Sequence, residues 1–276
     1  QAYTHIAPDE TIMEETDEEH FYQIGGATIF DNNGVKELQM LWGEMDNHEG
    51  KMTRTGTCLA VYSLEGQPGN STYLKRISKN EEFNTDDVGY GSTIWKDEDG
   101  HIYLYVTENN RPLVARTTTH DLTSEWEYYI RDLSGNFMWQ KMYPTKEERT
   151  RSTIMENNYV CSMPQIFKKG DYYYMIGQAV SYVHSVYLYR GETPYGPFTD
   201  QKILFNVPYA VDKIGNQYYK NLLRVNLHLE LAREGELVFS TNTDPADGFG
   251  GNFNAVGSAD FYRPYFYRVY NWEKVY

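Results

Sequence analysis

Four carboxyl residues have aromatic, amide or hydroxyl residues beside them in the sequence. They are Glu44 and Asp46 near Trp42, Glu108 near Asn109, and Asp260. Glycoside hydrolysis needs one protonated and one ionised carboxyl group, about 5–5.5 Å apart in retaining enzymes and about 6.5–9.5 Å apart in inverting ones. Carboxylates crowded into a partly dry site push each other's pKa values apart. We therefore predict that these four residues supply the acid and the base or nucleophile. For each one singly, a solvated surface acid or a turn cap is the alternative.

Other side chains have the chemistry to hold a polyhydroxyl ligand. The predicted substrate-binding residues are Trp42, Arg54, Asn109, Arg116, Gln178, His228 and Arg263. Aromatic faces stack on sugar rings, amides bond hydroxyl groups, and arginine pairs with a carboxylate through two parallel hydrogen bonds. The alternatives are ordinary salt bridges for the arginines and a hydrogen-bonded core position for His228.

No metal site or cofactor is predicted for catalysis. The acidic run Asp97-Glu98-Asp99-Gly100 lacks the later ligands of a calcium loop and fits a hairpin turn instead. A structural cation such as calcium on the axis of the fold described below is compatible with the sequence.

The elements that must position these residues repeat along the chain. Four segments each show a short strand, a turn with glycine, and an aromatic-rich strand. The turn glycines are Gly34, Gly100, Gly170 and Gly235, about 65–70 residues apart. This period predicts an all-β, five-bladed β-propeller of four-stranded antiparallel blades, formed as a single domain over residues 1–276. Strands from residues 2–6 and 261–270 are expected to close the ring. Four blades, a β-sandwich or two small β domains are the alternatives.

Propeller geometry predicts where the site lies. The first strand of a blade starts, and the second ends, at the same edge of the sheet. That edge receives residues 42–46, 107–110, 177–178 and 240–242 from second strands. It receives residues 91–92, 162–163, 226–228 and 260–263 from first strands. We therefore expect a polar, aromatic-rich mouth there.

Composition excludes several classes of partner. The formal net charge of −14 disfavours nucleic acid, and no apolar run approaches the length of a membrane span. The 26 tyrosines suit strands and sugar-binding surfaces. The two cysteines, Cys58 and Cys161, lie in strand-like sequence and are expected to be buried free thiols rather than a disulfide. We expect a monomer outside the cytoplasm, with any signal peptide removed before Gln1.

Several stretches resemble one known group of proteins. Residues 162–175, 190–198, 94–104 and 115–126 are similar to blades of the five-bladed glycosidases related to arabinanases, xylosidases and invertases. Residues 260–266 resemble the ends of uncharacterised secreted bacterial proteins near that group. The resemblance covers about two thirds of the chain. It implies a propeller that acts on carbohydrate, and a preceding blade could be missing before Gln1.

The sequence departs from that group at its acids. The family glutamate that precedes a Gly-Pro pair at the opening of a blade has no equivalent at Ser162-Met163-Pro164. The family aspartate that precedes a proline at an earlier blade has none at Gly91-Ser92-Thr93. The resemblance therefore assigns no site residue. The leading hypothesis is a glycoside hydrolase that cleaves a polysaccharide or oligosaccharide. The alternatives are a carbohydrate-binding propeller without activity and a protein-interaction propeller.

Overall fold

The computed structural model describes residues 20–48, 51–68, 72–84, 87–155, 157–208, 219–245 and 263–276. These residues form four antiparallel sheets of the β-propeller blade type, in which strands adjacent in the chain are adjacent in the sheet. The chain divides into two compact units. One comprises residues 1–106 and 114–151, and the other comprises residues 107–113 and 152–276.

The first unit holds two sheets. The first sheet contains β1 (His20–Asn32), β2 (Val35–His48), β3 (Lys51–Ser63) and β4 (Arg76–Asn84). The second sheet contains β5 (Thr93–Lys96), β6 (Ile102–Glu108), β7 (Arg111–Thr117), β8 (Trp126–Arg131) and β9 (Phe137–Gln140). The tip of the β6–β7 hairpin belongs to the second unit. A short helix, α1 (Lys146–Arg151), follows β9. Thr145 and Glu148 bond each other's backbone N–H groups at its start, which is a capping box.

The second unit holds the other two sheets. The third sheet contains β10 (Cys161–Lys169), β11 (Tyr172–Gln178), β12 (Ser185–Gly191) and β13 (Thr199–Asn206). The fourth sheet contains β14 (Tyr219–Leu227), β15 (Glu236–Pro245) and β16 (Tyr265–Tyr270). Short 3-10 helices lie at Leu229–Leu231 and Trp272–Val275. No helix in these stretches is long and apolar enough to cross a membrane.

Neighbouring sheets meet through their first strands in each unit, as propeller blades do. In the first unit, β1 packs on β5, and the Gly26 N–H donates to the Gly91 carbonyl at 2.7 Å. In the second unit, β14 packs on β10 and β11. Trp272, which is 3% exposed, packs edge-on against Phe167 and Tyr174 of the third sheet. The core of each unit therefore lies between adjacent sheets.

The all-β prediction and the blade-type hairpins are confirmed, and the blade count needs correction. The described residues form four sheets instead of five, and the second and fourth sheets have five and three strands instead of four. The strand predicted to close a fifth blade is instead the last strand of the fourth sheet, because Tyr265 and Tyr270 pair with Thr241 and Glu236. Its predicted partner, residues 2–6, lies outside the described residues. The single domain stays a prediction.

The four predicted turn glycines all lie in turns with positive φ, at 90° for Gly34, 96° for Gly100, 61° for Gly170 and 75° for Gly235. The first strand that was predicted to start at residues 226–228 and to run through residue 231 is wrong, however. The stretch 228–231 forms a 3-10 turn, in which the Leu231 N–H bonds the His228 carbonyl, and the true strand β14 precedes it. Both cysteines are buried free thiols.

Candidate active site

A cavity of about 210 Å³ opens at one edge of the first sheet. It lies where β1 starts and β2 ends, which is the edge that the sequence predicts for a site. A bulge in β3 opposite Glu44 and Met45 widens the edge. The lining residues are His20, Phe21, Tyr22, Glu44, Met45, Asp46 and Thr55. Two of the four predicted acids therefore share one cavity.

Glu44 has one buried carboxyl oxygen. It sits in the middle of the sheet, between Tyr22 of β1 and Gly56 of β3. Its Oε1 atom is buried and has no hydrogen-bond partner among the described residues. A Cβ at Gly56 would lie 2.9 Å from Oε2, so the glycine lets this carboxyl group lie against the β3 backbone. Burial raises the pKa of Glu44, the Glu81 charge raises it further, and Lys79 and Arg54 oppose the change. Glu44 thus keeps its proton to higher pH than a solvent-exposed glutamate does.

Asp46 has a different environment. Its Oδ1 atom lies 2.5 Å from Nδ1 of His20, its cross-strand neighbour, and its side chain is 28% exposed. The imidazole can stabilise the ionised carboxylate by hydrogen bonding and by charge. Glu44 and Asp46 alternate onto the same face of β2, two residues apart, which corresponds to about 6.7 Å along a strand. The cavity therefore combines a carboxyl group whose pKa is raised by burial with a second carboxyl group that is hydrogen-bonded to a histidine.

Polar side chains of β1 and β4 form a cluster whose charges act on Glu44. The Tyr22 hydroxyl donates to Glu81 Oε1 at 3.0 Å, and Lys79 Nζ pairs with the same oxygen at 2.6 Å. The Lys79 ammonium also lies 5.0 Å from the centre of the Tyr22 ring. The sequence analysis missed His20, Tyr22 and Glu81. The alternation of Tyr22 with Ile24 was a signal that could have predicted them. It indicates that β1 begins seven residues before Ala27, where the predicted hairpin starts.

Trp42 and Arg54 lie beside this cavity in the same sheet. Trp42 precedes Glu44 by two residues on the same face of β2, and its indole Nε1 is buried without a partner among the described residues. Arg54 instead points to the opposite face of the sheet, where Nη2 donates to Thr57 Oγ1 at 2.9 Å. A Cβ at Gly43 or Gly89 would lie within 2.4 Å of its guanidinium group. The Arg54 guanidinium therefore fills the space between the backbones of Gly43 and Gly89, where it is part of the packing of the first unit.

Other predicted binding residues make structural contacts. Arg116 pairs with Glu127 at 2.7–2.8 Å, and its guanidinium stacks 4.2 Å from the Trp139 ring centre. Gln178 is 2% exposed and donates to the carbonyls of Val183 and Leu222. Both side chains are occupied in holding strands together, so the geometry favours the salt-bridge and packing alternatives.

His228 directly follows β14 and precedes a 3-10 helix, whereas the sequence analysis placed it at the start of a strand. Its Nε2 lies 2.8 Å from Ser240 Oγ, and its Nδ1 lies 3.2 Å from Glu230 Oε1. The ring also packs 5.1 Å from the Phe266 ring centre. These contacts fit the hydrogen-bonded alternative at the far edge of the fourth sheet.

The remaining predicted residues are Glu108, Asn109, Arg263 and Asp260. Glu108 ends β6, and Asn109 follows it in the hairpin turn with φ of 54°. Both belong to the second unit. Arg263 is exposed, with its guanidinium 5.5 Å from the Tyr265 ring centre. Asp260 lies outside the described residues. The structure thus brings together Glu44 and Asp46, and their roles remain predictions.

Comparison with known proteins identifies one similar solved structure of high identity. A presumed hydrolase from Bacteroides ovatus ATCC 8483 is 52% identical, with a TM-score of 0.87, and the match covers 99% of this chain and 68% of that one. An arabinoxylan arabinofuranohydrolase of glycoside hydrolase family 43 from Bacillus subtilis is 14% identical, with a TM-score of 0.42 over 87% of this chain and 46% of that one. An exo-beta-1,3-galactanase from Phanerochaete chrysosporium is 11% identical, with a TM-score of 0.40 over 80% and 42%.

Similarity as low as that of the last two structures does not extend to activity or to individual residues. A search of curated proteins finds no match. One family of sequences matches residues 1–272, which is nearly the whole chain. The chain therefore belongs to the family described as a domain of unknown function, DUF5005.

Proposed function

We propose that this chain is a glycoside hydrolase that acts on a polysaccharide or oligosaccharide, with Glu44 as general acid and Asp46 as general base. The observation that carries the proposal is the pairing of two unlike carboxyl groups in one cavity. Glu44 has a buried oxygen and a raised pKa, and Asp46 is hydrogen-bonded by His20. Division of labour between a protonated and an ionised carboxyl group is what glycoside hydrolysis requires.

The steps follow from these two environments. Glu44 donates its proton to the glycosidic oxygen as the bond to the anomeric carbon breaks and the leaving sugar departs as an alcohol. Asp46 takes a proton from a water molecule, whose oxygen attacks the anomeric carbon from the opposite face. Glu44 ends ionised and Asp46 protonated, and exchange with solvent restores both groups. His20 keeps the Asp46 carboxylate oriented during the attack.

The strand geometry also suggests the stereochemical outcome. The backbone positions of two residues on one strand face lie about 6.7 Å apart. Carboxyl groups that keep this spacing leave room for a water molecule between them, as in inverting enzymes. We therefore propose inversion at the anomeric carbon. Proton NMR of the first product anomer, recorded before mutarotation, tests this part.

The main test uses 4-nitrophenyl glycosides of arabinofuranose, xylose and galactose, with soluble arabinan, xylan and galactan as polymers. Wild-type protein is expected to release product from at least one of these substrates. Glu44→Gln and Asp46→Asn should each lower kcat by at least a hundredfold. Glu37→Gln is the matched control, because Glu37 lies on β2 at its other end. Full activity in both amide variants would remove the proposal.

The dependence of activity on the leaving group distinguishes the general acid from the general base. The acid is needed less when the leaving group is a weak base, so Glu44→Gln should retain more activity on 4-nitrophenyl glycosides than on polymers. Asp46→Asn should lose activity on both kinds of substrate equally. The same loss pattern in both variants would contradict the assignment of acid and base.

Carbohydrate binding without hydrolysis is the second candidate. Trp42, Tyr22 and the unpartnered Glu44 oxygen offer a ring and hydrogen-bonding groups even if no bond is broken. Polysaccharide binding by the wild type without release of reducing ends would favour this reading. For either candidate we propose a location outside the cytoplasm, where such polymers are found, and secretion of the native protein can be tested by fractionation.

A further inference from the structure

A second cavity, of about 410 Å³, lies in the third sheet. Its walls are the start of β11, the end of β12, the turn after it, and the start of β13. The lining residues are Tyr172, Arg190, Gly191, Glu192, Thr193, Gly196, Pro197, Thr199 and Asp200. In an antiparallel meander these strand ends share one edge, which is opposite to the edge where β10 begins. The cavity is therefore separate from the mouth predicted for this sheet.

We propose that this cavity is a second carbohydrate-binding site, which holds one neutral, hydroxyl-rich sugar unit of a glycan chain. The proposal does not require that the protein hydrolyse glycosides. It rests on three features of the cavity: a fixed arginine, an exposed aromatic ring, and carboxylate and hydroxyl groups that are free to bond a ligand.

Arg190 is held in place before any ligand arrives. Its guanidinium carbon lies 4.6 Å from the Tyr172 ring centre and 4.5 Å from the Tyr276 ring centre. Its Nη2 atom lies 3.4 Å from Asp200 Oδ2, while Lys202 Nζ holds the other oxygen of Asp200 at 2.9 Å. An arginine clamped between two rings loses little side-chain entropy on binding, and it still has N–H groups to donate to sugar oxygens.

Tyr172 supplies an aromatic surface next to this arginine. The residue is 38% exposed, although its ring packs on Arg190. Exposed tyrosine rings stack on the C–H face of a pyranose, and the hydroxyl group keeps the ring edge hydrated. The neighbouring 191–198 turn is fixed by buried Phe198, whose N–H donates to the Ile154 carbonyl at 2.8 Å. Tyr172 and this fixed turn therefore line the same cavity.

The polar groups of the lining match sugar hydroxyls rather than anions. Glu192 and Thr199 are exposed, and their side chains make no hydrogen bond or ion pair within the part of the chain that the structure describes. The Thr193 hydroxyl donates to the Gly196 carbonyl at 2.6 Å and retains lone pairs that accept. The lining holds one cationic residue, Arg190, and two acidic residues, Glu192 and Asp200, and Lys202 pairs with Asp200 beside it. The local charge is therefore close to balanced, without the excess of positive charge that would favour phosphate, sulfate or uronate groups. Neutral sugars donate to carboxylates and accept from arginine.

Affinity electrophoresis of the full chain tests this site directly. Native gels contain soluble xylan, arabinan or galactan, and retardation at increasing polymer concentration gives the dissociation constant. All variants carry Glu44→Gln so that substrate turnover does not contribute. The parent protein is expected to be retarded by at least one polymer, and Tyr172→Ala should weaken that binding at least tenfold. Glu192→Gln should weaken it severalfold.

Tyr270→Ala is the matched control, because Tyr270 is 65% exposed in the same unit and does not line the cavity. It should leave retardation unchanged. Glu192→Gln replaces an exposed side chain, so its effect is independent of any folding defect in Tyr172→Ala. The proposal is overturned if no polymer retards the parent, or if both cavity variants bind as the parent does. If wild-type protein hydrolyses none of the substrates while the Glu44→Gln parent is retarded and the cavity variants weaken that retardation, the proposed activity alone is rejected.

Discussion

Replacing Gly91 by alanine tests how the first unit is packed between its two sheets. Gly91 precedes β5, has φ of +89°, and accepts the backbone hydrogen bond from Gly26 that joins the sheets. A Cβ there would lie 2.4 Å from Leu41 Cδ1 and 3.4 Å from Leu104 Cδ2. Leu41 is 1% exposed and Leu104 is fully buried, so neither side chain has space to move away.

The expected cost has two parts. A left-handed conformation costs a non-glycine residue about 1–2 kcal/mol. Overpacking a well-filled core costs about 1–3 kcal/mol more. Gly100 separates the two parts, because its φ of +96° imposes the same strain while a Cβ there would meet nothing within 4 Å. We therefore expect Gly91→Ala to lower the free energy of unfolding by about 2–5 kcal/mol, and Gly100→Ala by about 1–2 kcal/mol.

Urea unfolding monitored by tryptophan fluorescence measures both variants. Adding Leu41→Ala to Gly91→Ala should cost less than the sum of the two single changes, because the smaller side chain makes room for the new methyl group. A difference between the two glycine variants below about 0.5 kcal/mol, or strict additivity with Leu41→Ala, would refute the packing argument.

Two further outcomes follow from the ionisable groups. Burial raises the folded-state pKa of Glu44 above its ordinary 4.5, so the folded protein binds the proton more tightly than the unfolded chain and loses stability as pH rises above about 4.5. The unfolding free energy of Glu44→Gln relative to wild type should therefore increase between about pH 4 and pH 7, and a flat difference would contradict the burial of this carboxyl. A double-mutant cycle on Arg116→Ala and Glu127→Ala should give a coupling of about 1 kcal/mol, since both side chains are about four-fifths buried and the pair stacks on Trp139. A coupling near zero in urea unfolding would show that solvent screens the pair.

The hairpins were predictable because their signals are local. A turn that needs positive φ selects glycine, and the flanking β-branched and aromatic residues favour strands. Four turns could therefore be located from this recurring local pattern. The same local logic failed at His228. The sequence from there to Gly235 imitates a strand and a turn, yet the chain reverses through a 3-10 turn and the strand lies before it. The pairing of Leu227 with Phe239 on β15 fixes the register there, and that contact is not visible in the local sequence.

Long side chains were harder to place than backbone elements. Arg54, Arg116 and Gln178 have the right chemistry to bind a sugar, but each finds a nearer partner within its own unit. For Arg116 that partner is Glu127, directly across the strand pair, and for Arg54 it is the groove between Gly43 and Gly89. Cross-strand neighbours decide whether a polar side chain is free, and register must be known before they can be identified.

The same reasoning explains why the prediction at the first sheet succeeded in part. Glu44 and Asp46 lie two residues apart on one strand, so their common face depends only on strand alternation and not on register. Their environments, in contrast, come from other strands: His20 and Tyr22 from β1, and Glu81 from β4. Sequence could therefore supply the pair of acids, whereas the difference between them required the sheet. If that difference governs catalysis, removing a neighbour should act through the acid it contacts. His20→Ala should impair the base and slow turnover of good and poor leaving groups alike, whereas Glu81→Gln should affect chiefly substrates that need the acid.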